Sequence, residues 1–73
     1  MSQLPFAKAL DLHSQGRLAE AEELYRRVLA SNPDAFDAYH MLGVLRAQQG
    51  HNEEAYDLIE VWLYLESNFF NRD

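Results

Sequence analysis

The sequence predicts an all-α chain built from two helix-turn-helix units, and three observations support this fold class. Sliding the 73 residues over themselves by 34 positions aligns six identical pairs, all at or after a glycine turn. Apolar residues recur at helical spacing between the turns, and no stretch alternates apolar and polar residues as a strand would. Glycine or proline separates the helical stretches. A fixed period of this length is typical of repeat architectures, in which helical units stack side by side.

The first unit is predicted to contain two helices joined at Gly16. Residues 3–15 form the first helix, because Pro5 falls in its first turn, where the missing N–H costs nothing. Gly16 ends this helix, since glycine adopts the left-handed conformation without steric strain. The second helix covers about residues 18–30, with one apolar stripe and i,i+4 Glu–Arg pairs on the opposite side. Pro33 then turns the chain, because the residue before a proline disfavours helical conformation.

The second unit repeats this plan. Asp34 is the expected N-cap of a third helix, which extends to a glycine turn at Gly50. Gly43 lies in the middle of this helix, where it costs about 1 kcal/mol relative to alanine. A glycine at such a cost indicates that another helix comes too close for a side chain. The fourth helix begins near Asn52, so we expect four antiparallel helices with short turns in a single domain over residues 1–73.

The composition argues against several classes of function. Six basic and twelve acidic residues give a net charge of −6, and there is no cysteine. An acidic surface repels phosphate, which disfavours nucleic acid and anionic membrane surfaces as partners. Without cysteine there is no disulfide framework and no thiolate metal site. The longest apolar run has five residues, too short for a membrane span or a signal peptide. We therefore expect a cytoplasmic protein with no nucleic-acid or membrane partner.

The pattern resembles the tetratricopeptide repeat, a 34-residue helix-turn-helix with the signature W-x2-L-G-x2-Y…A-x3-F…P. The second unit has an aromatic residue, the leucine and glycine, and then the alanine; the first unit has the alanine, an aromatic residue and the closing proline. The resemblance implies two repeats, at about residues 2–35 and 36–69, forming a fragment of a right-handed α-solenoid. The residues that build this repeat signature are Gly16, Ala21, Leu24, Tyr25, Pro33, Tyr39, Leu42, Gly43, Gly50, Ala55 and Leu58.

Five positions depart from the signature. Pro5, Lys8 and Ala9 replace the aromatic residue, leucine and glycine that open the first unit, as a helix facing solvent would tolerate. In the second unit, Arg46 replaces an aromatic residue and Ser67 replaces the closing proline.

The resemblance also implies a groove for a peptide or a partner helix, on the concave surface formed by the first helix of each unit. Chaperone-binding members of the family grip a peptide carboxylate there with basic and asparagine side chains. The matching positions of this chain hold Phe6, Leu10, His40 and Val44, so that clamp is absent. The candidate groove residues are Phe6, Leu10, His13, Asp37, His40, Val44 and Gln48.

The sequence offers no metal site and no catalytic group. His13, His40 and His51 lie on different elements, rather than paired at i,i+4 as metal ligands often are. The glutamates of the second and fourth helices, Glu22 and Glu54 among them, are expected on solvated faces. No nucleophile lies beside a base, and no glycine-rich phosphate loop is present. We expect no cofactor and no enzymatic activity.

The fourth helix ends in an apolar run, Val61-Trp62-Leu63-Tyr64-Leu65. Five successive apolar residues cover every side of a helix, so one small domain cannot hide them all. Terminal repeats normally have a polar outer face, and an apolar one indicates contact. The predicted self-association surface consists of Val61, Trp62, Tyr64, Leu65, Phe69 and Phe70. Alternatively, the segment from residue 66 onward folds back, or continues the helix, and covers the end of the stack.

The favoured function is a non-enzymatic protein–protein interaction module or scaffold that self-associates, most simply as a homodimer, through its C-terminal helix. Two alternatives stay open. The chain is the N-terminal regulatory segment of a longer enzyme or scaffold and binds a peptide in its groove. Otherwise it is an engineered repeat assembly whose last helix was redesigned as an interface.

Overall fold

Four helices make up this computed structural model, which describes the backbone of residues 3–71 and the side chains of residues 5–68. α1 packs on α2, α3 packs on α4, and α2 packs on α3, so that two helical hairpins lie side by side. No strand occurs within residues 3–71. The all-α prediction is confirmed. The helices are α1 (Gln3–Ser14), α2 (Leu18–Ser31), α3 (Phe36–Gln48) and α4 (Asn52–Asn71).

The two hairpin turns have the same geometry. Gly16 and Gly50 adopt positive φ values of 80° and 86°. In each turn the residue after the glycine donates its N–H to the carbonyl five positions earlier, at 2.9 Å. This pattern closes a helix with a left-handed residue, which glycine provides without strain. The two signature glycines therefore end the first helix of each unit in the same way.

The turn between the two units differs from the prediction in one respect. Asn32 is extended, with φ −143° and ψ 90°, as expected for a residue before a proline. Its side-chain oxygen accepts the N–H of Asp34 at 3.2 Å, so Asp34 belongs to the turn. Ala35 is the N-cap of α3, with no side-chain cap hydrogen bond. The prediction that Asp34 caps α3 is wrong, because the Asn32 side chain lengthens the turn by one residue.

Both units share one hydrophobic core. Tyr25, Leu42 and Leu45 are its largest fully buried side chains. They come from α2 and α3, so the first hairpin is packed against the second by apolar contact. Burial of such residues stabilises a fold by about 1.5–3 kcal/mol per side chain. The buried cluster consists of Ala9, Leu12, Ala21, Tyr25, Leu42 and Leu45.

The glycine in the middle of α3 marks a close approach of α4. A Cβ atom on Gly43 would lie 2.7 Å from Cδ1 and 3.0 Å from Cγ1 of Ile59. It would also lie 3.3 Å from the carbonyl oxygen of Ala55. The predicted reason for this glycine is confirmed.

α4 continues without interruption to Asn71, which makes it a 20-residue helix. The segment over residues 66–71 therefore extends the last helix rather than folding back on the stack. The apolar residues of α4 therefore lie along one continuous helix.

Candidate functional site

Two predicted groove residues, His13 and Gln48, are joined by a hydrogen bond. His13 of α1 lies 2.9 Å from the hydroxyl of Tyr25 through Nδ1, and 2.6 Å from Oε1 of Gln48 through Nε2. Because the Gln48 oxygen only accepts, Nε2 donates to it, and Nδ1 accepts the Tyr25 proton. Burial raises the pKa of Tyr25 to about 12, which keeps this hydroxyl protonated. His13 thus links α1, α2 and α3, which gives it a structural part in the groove.

Another predicted groove residue stacks on a predicted interface residue. The ring of His40 on α3 lies against Trp62 on α4, with centroids 4.3 Å apart and planes within 15°. Both side chains are half-buried. Part of the apolar surface of Trp62 is therefore already buried against His40 within the chain.

The remaining groove residues divide between packing and exposure. The ring of Phe6 packs at 6.0 Å from that of Tyr25. Val44 is half-buried, whereas Asp37 and Gln48 are exposed and Leu10 is 37% exposed. Of the candidate groove, Leu10, Asp37 and Gln48 thus present surface to solvent.

Four charged residues form a closed ring that joins the two units. Arg46 of α3 donates to Glu22 of α2 at 3.0 Å and to Glu54 of α4 at 2.8 Å. Arg26 of α2 donates to the other oxygens of the same two carboxylates, at 3.0 and 2.8 Å. Gln49 accepts a further bond from Arg46 at 2.6 Å. Arg46, at the position of the family's aromatic residue, is 14% exposed and joins its own helix to α2 and α4.

This ring corrects the expectation that Glu22 and Glu54 lie on solvated faces. Glu22 and Glu54 are half-buried, with side chains 23% and 38% exposed. Glu22 and Arg26 are four residues apart on α2, but the other three pairs join residues 8, 24 and 28 positions apart on different helices, which helical periodicity does not reveal. The ring is part of the interface between units, and its carboxylates are not free for other chemistry.

The ring predicts how stability depends on pH. Hydrogen bonds from Arg26 and then from Arg46 lower the pKa of Glu54 below its ordinary value. Such a carboxylate stabilises the fold above its ordinary pKa, and this contribution is lost as the pH falls through the lowered folded value. Because the ring is partly exposed, we expect Glu54→Gln to cost about 1 kcal/mol near neutral pH. In stronger acid the difference from the unchanged chain should approach zero.

Urea unfolding, followed by circular dichroism at about pH 7 and about pH 3, measures this difference. Glu53→Gln is the matched control, since Glu53 is the exposed neighbour on the same helix turn. The control should differ little from the unchanged chain at either pH. A Glu54→Gln deficit of equal size in acid would show that the ring does not stabilise the fold electrostatically.

The predicted self-association residues lie on different sides of α4. Val61 and Tyr64 are exposed, at 37% and 65%, whereas Trp62 and Leu65 are half-buried. Phe69 and Phe70 lie on α4, but their side chains fall outside the described residues. Val61 and Tyr64 therefore remain the predicted members with the most free surface.

Sequence reasoning missed two exposed apolar residues of α4. Tyr56 is 62% exposed and Leu63 is 50% exposed. Leu63 is the repeat equivalent of Leu29, which packs on the core cluster, and it was not among the residues predicted for self-association. Its exposure arises because no helix follows α4 to cover it among the described residues.

Repeat equivalence explains what this face of α4 is. We call Tyr56, Glu60, Leu63 and Tyr64 the open face; they follow i, i+4, i+7, i+8 spacing, which places them on one side of the helix. The equivalent residues of α2, 34 positions earlier, are Glu22, Arg26, Leu29 and Ala30.

Three of these equivalents contact the second unit or the shared core. Glu22 binds Arg46 of α3, Arg26 binds Glu54 of α4, and Leu29 packs on the shared core cluster. The open face of α4 is thus equivalent to the face of α2 that packs against the second unit. The open face could have been predicted by comparing the two repeat units at these four positions as well as at the apolar run.

The described residues give no support for two other kinds of site. Within them, no three His, Cys, Asp or Glu side chains come close enough together to hold a metal ion. No helix in that part of the chain is both long and apolar enough to cross a membrane.

Comparison with protein families agrees with the geometry of the two hairpins. The family model described as tetratricopeptide repeat matches residues 6–68, a range that contains both glycine turns and the packed faces of all four helices. No curated protein and no solved structure matches the chain. The chain belongs to the tetratricopeptide repeat family.

Proposed function

We propose that this chain is a protein–protein interaction module whose open face binds a second copy of the chain. Repeats of this family are typically non-enzymatic interaction modules. One observation supports binding of a second copy. The side of α2 that packs against the second unit has an equivalent on α4, and this equivalent is exposed and largely apolar. Tyr56, Leu63 and Tyr64 are each at least half exposed.

A second copy fits this face because the face complements itself. Two open faces can bury tyrosine and leucine side chains against each other. Repeat units bury their apolar faces against neighbouring units, and a second copy would supply such a neighbour for the open face. Exposed aromatic surface of this kind is otherwise an aggregation hazard.

Replacing Leu63 with glutamate tests this proposal. Leu63 is half exposed, so the chain should keep its helices while the open face gains a buried charge on pairing. We expect the dissociation constant of the dimer to rise at least about tenfold, which corresponds to about 1.4 kcal/mol. Trp62→Glu is a poorer test, because it would also remove the stack on His40.

The measurement is the mass in solution by light scattering at micromolar concentration, with circular dichroism as the check on folding. Leu10→Glu is the matched control: it makes the same chemical change at an exposed leucine of α1. The control should remain as dimeric as the unchanged chain. Equal loss of dimer in both variants would place the contact elsewhere, and a folded monomer of the unchanged chain would contradict self-association.

A peptide groove is the second candidate, and one observation favours it. Leu10 is an exposed apolar residue among the candidate groove residues. In that case the chain acts as a regulatory segment within a longer enzyme or scaffold. Loss of a bound peptide on Leu10→Glu, with the mass unchanged, would support this function.

A further inference from the structure

The stack of His40 on Trp62 is one of a series of contacts between α3 and α4. Gly43 of α3 lies against Ile59 of α4. His40, about one turn earlier on α3, stacks on Trp62, about one turn later on α4. The stack is therefore the next contact toward the C-terminal end of α4, and it holds α4 just before Leu63 of the open face.

The geometry of this stack suits a positive charge on His40. The two ring centroids are 4.3 Å apart and the ring planes are within 15° of parallel. A cation within about 6 Å of an indole centroid is attracted by the electrons of the ring face. Both side chains are half-buried, so an imidazolium here keeps part of its hydration. Protonation of His40 thus adds an attraction to a contact that already exists.

The charges nearest to the stack along its two helices are negative. On α3, Asp37 is exposed and lies three residues before His40. On α4, Glu66 lies four residues after Trp62 and is half-buried. Residues three or four apart are neighbours on a helix surface, so both carboxylates favour the protonated form of His40.

The first unit brings titratable groups that are already engaged elsewhere. His13 of α1 reaches α3 at Gln48, about two turns beyond His40, and its other ring nitrogen binds Tyr25 of α2. Two charged side chains of α2 reach the second unit, and both are held in the ring of four charged residues: Glu22 and Arg26. The balance of charge at His40 is therefore set by Asp37 and Glu66.

We propose that the His40–Trp62 stack is a pH-sensitive clasp that holds α4 on α3 more tightly when His40 is protonated. The added stabilisation is present in mild acid and is lost as the pH rises through the range in which histidine titrates. The clasp lies within one chain, so it does not depend on what the open face binds.

The fluorescence of Trp62 reports the clasp directly, because Trp62 is the only tryptophan of the chain. A protonated imidazole in contact with an indole ring quenches its emission. The fluorescence should therefore fall as the pH is lowered from about 8 to about 5.5, the range in which histidine gains its proton. Glu54 stays ionised over this range, since hydrogen bonds from two arginines lower its pKa.

His40→Phe is the key variant. Phenylalanine occupies this repeat position in the first unit, as Phe6, and it keeps a ring against Trp62 without a titrating group. Urea unfolding measures the ratio of folded to unfolded chain at the two pH values. Between about pH 8 and about pH 5.5, this ratio should rise about two- to fivefold more in the unchanged chain than in the variant.

Two further variants complete the experiment. His51→Gln is the matched control, because it removes an exposed histidine from the turn before α4. This control should keep both the fluorescence change and the gain in stability. His40→Gln is a second variant without a titrating group at position 40, and it replaces His40→Phe if phenylalanine disturbs folding.

Three outcomes would overturn the clasp. The first is a fluorescence change that persists in His40→Phe and His40→Gln. The second is an equal pH dependence of stability in these variants and in the unchanged chain. The third is a loss of stability in mild acid that requires His40, since burial of the charge would then outweigh its attraction to Trp62. None of these outcomes bears on self-association, which the mass in solution decides separately.

Discussion

Replacing Leu42 with alanine is expected to unfold most of the chain. Leu42 is fully buried in the cluster that joins the two units. Leucine-to-alanine changes at such sites cost about 2–5 kcal/mol, through lost burial and the cavity left behind. A core of this size supplies little more than about 3–5 kcal/mol of net stability, so one such loss consumes most of it.

Lys8→Ala is the matched control, because Lys8 occupies the same repeat position in the first unit and is exposed. It should change stability by less than about 0.5 kcal/mol. Thermal and urea unfolding followed by circular dichroism measure both variants. If Leu42→Ala kept the stability of the unchanged chain, the two units would not share a core at this residue.

Replacing Gly43 with valine is expected to destabilise the contact between α3 and α4 by about 1–3 kcal/mol. The new Cβ would lie 2.7 Å from the end of the Ile59 side chain. It would also lie 3.3 Å from the Ala55 carbonyl oxygen, so a shift of the Ile59 side chain alone would not relieve the crowding. The branched side chain adds two further atoms in the same space. The gain in helix propensity over glycine, less than about 1 kcal/mol, does not offset this.

A double-mutant cycle with Ile59→Ala separates steric overlap from other causes. Alanine at position 59 lacks Cδ1 and Cγ1, the two atoms nearest to the new Cβ. In that background Gly43→Val should cost clearly less than in the unchanged chain, as measured by urea unfolding. Equal costs in both backgrounds would contradict the close approach as the reason for glycine.

The local features of the fold followed from the sequence because they depend on neighbouring residues. The glycine turns at Gly16 and Gly50 and the extended residue before Pro33 each need only the chemistry of a few consecutive positions. Gly43 also indicated a contact beyond its neighbours, because glycine is unfavourable within a helix. The sequence did not show that the contacting residues are Ala55 and Ile59 of α4. The helix boundaries agreed with the structure to within about one residue, and the start of α3 is one residue later than a cap at Asp34 predicts.

The side-chain network between helices did not follow from the sequence. Arg46 binds Glu22 and Glu54, at separations of 24 and 8 residues, and His13 binds Gln48 at a separation of 35. Helical periodicity reports which side of a helix is apolar, but it does not report which polar groups meet between helices. These charges were therefore assigned to solvent.

The candidate site was predicted in part, and the error is instructive. The apolar run lies on α4, which also has the open face, and Tyr64 is exposed there. Trp62 was expected at the surface but stacks on His40, whereas Leu63 was left out of the predicted surface but is half exposed. A repeat position predicts burial only where the next unit is present to cover it, and position 63 lacks that neighbour among the described residues.

The central claim is that the open face of α4 joins two copies of the chain, and the mass of the unchanged chain in solution tests it most directly. Sedimentation equilibrium over a range of micromolar concentrations should show a reversible approach to twice the chain mass of 8.5 kDa. A folded chain that sediments at 8.5 kDa at every concentration and salt would contradict the account.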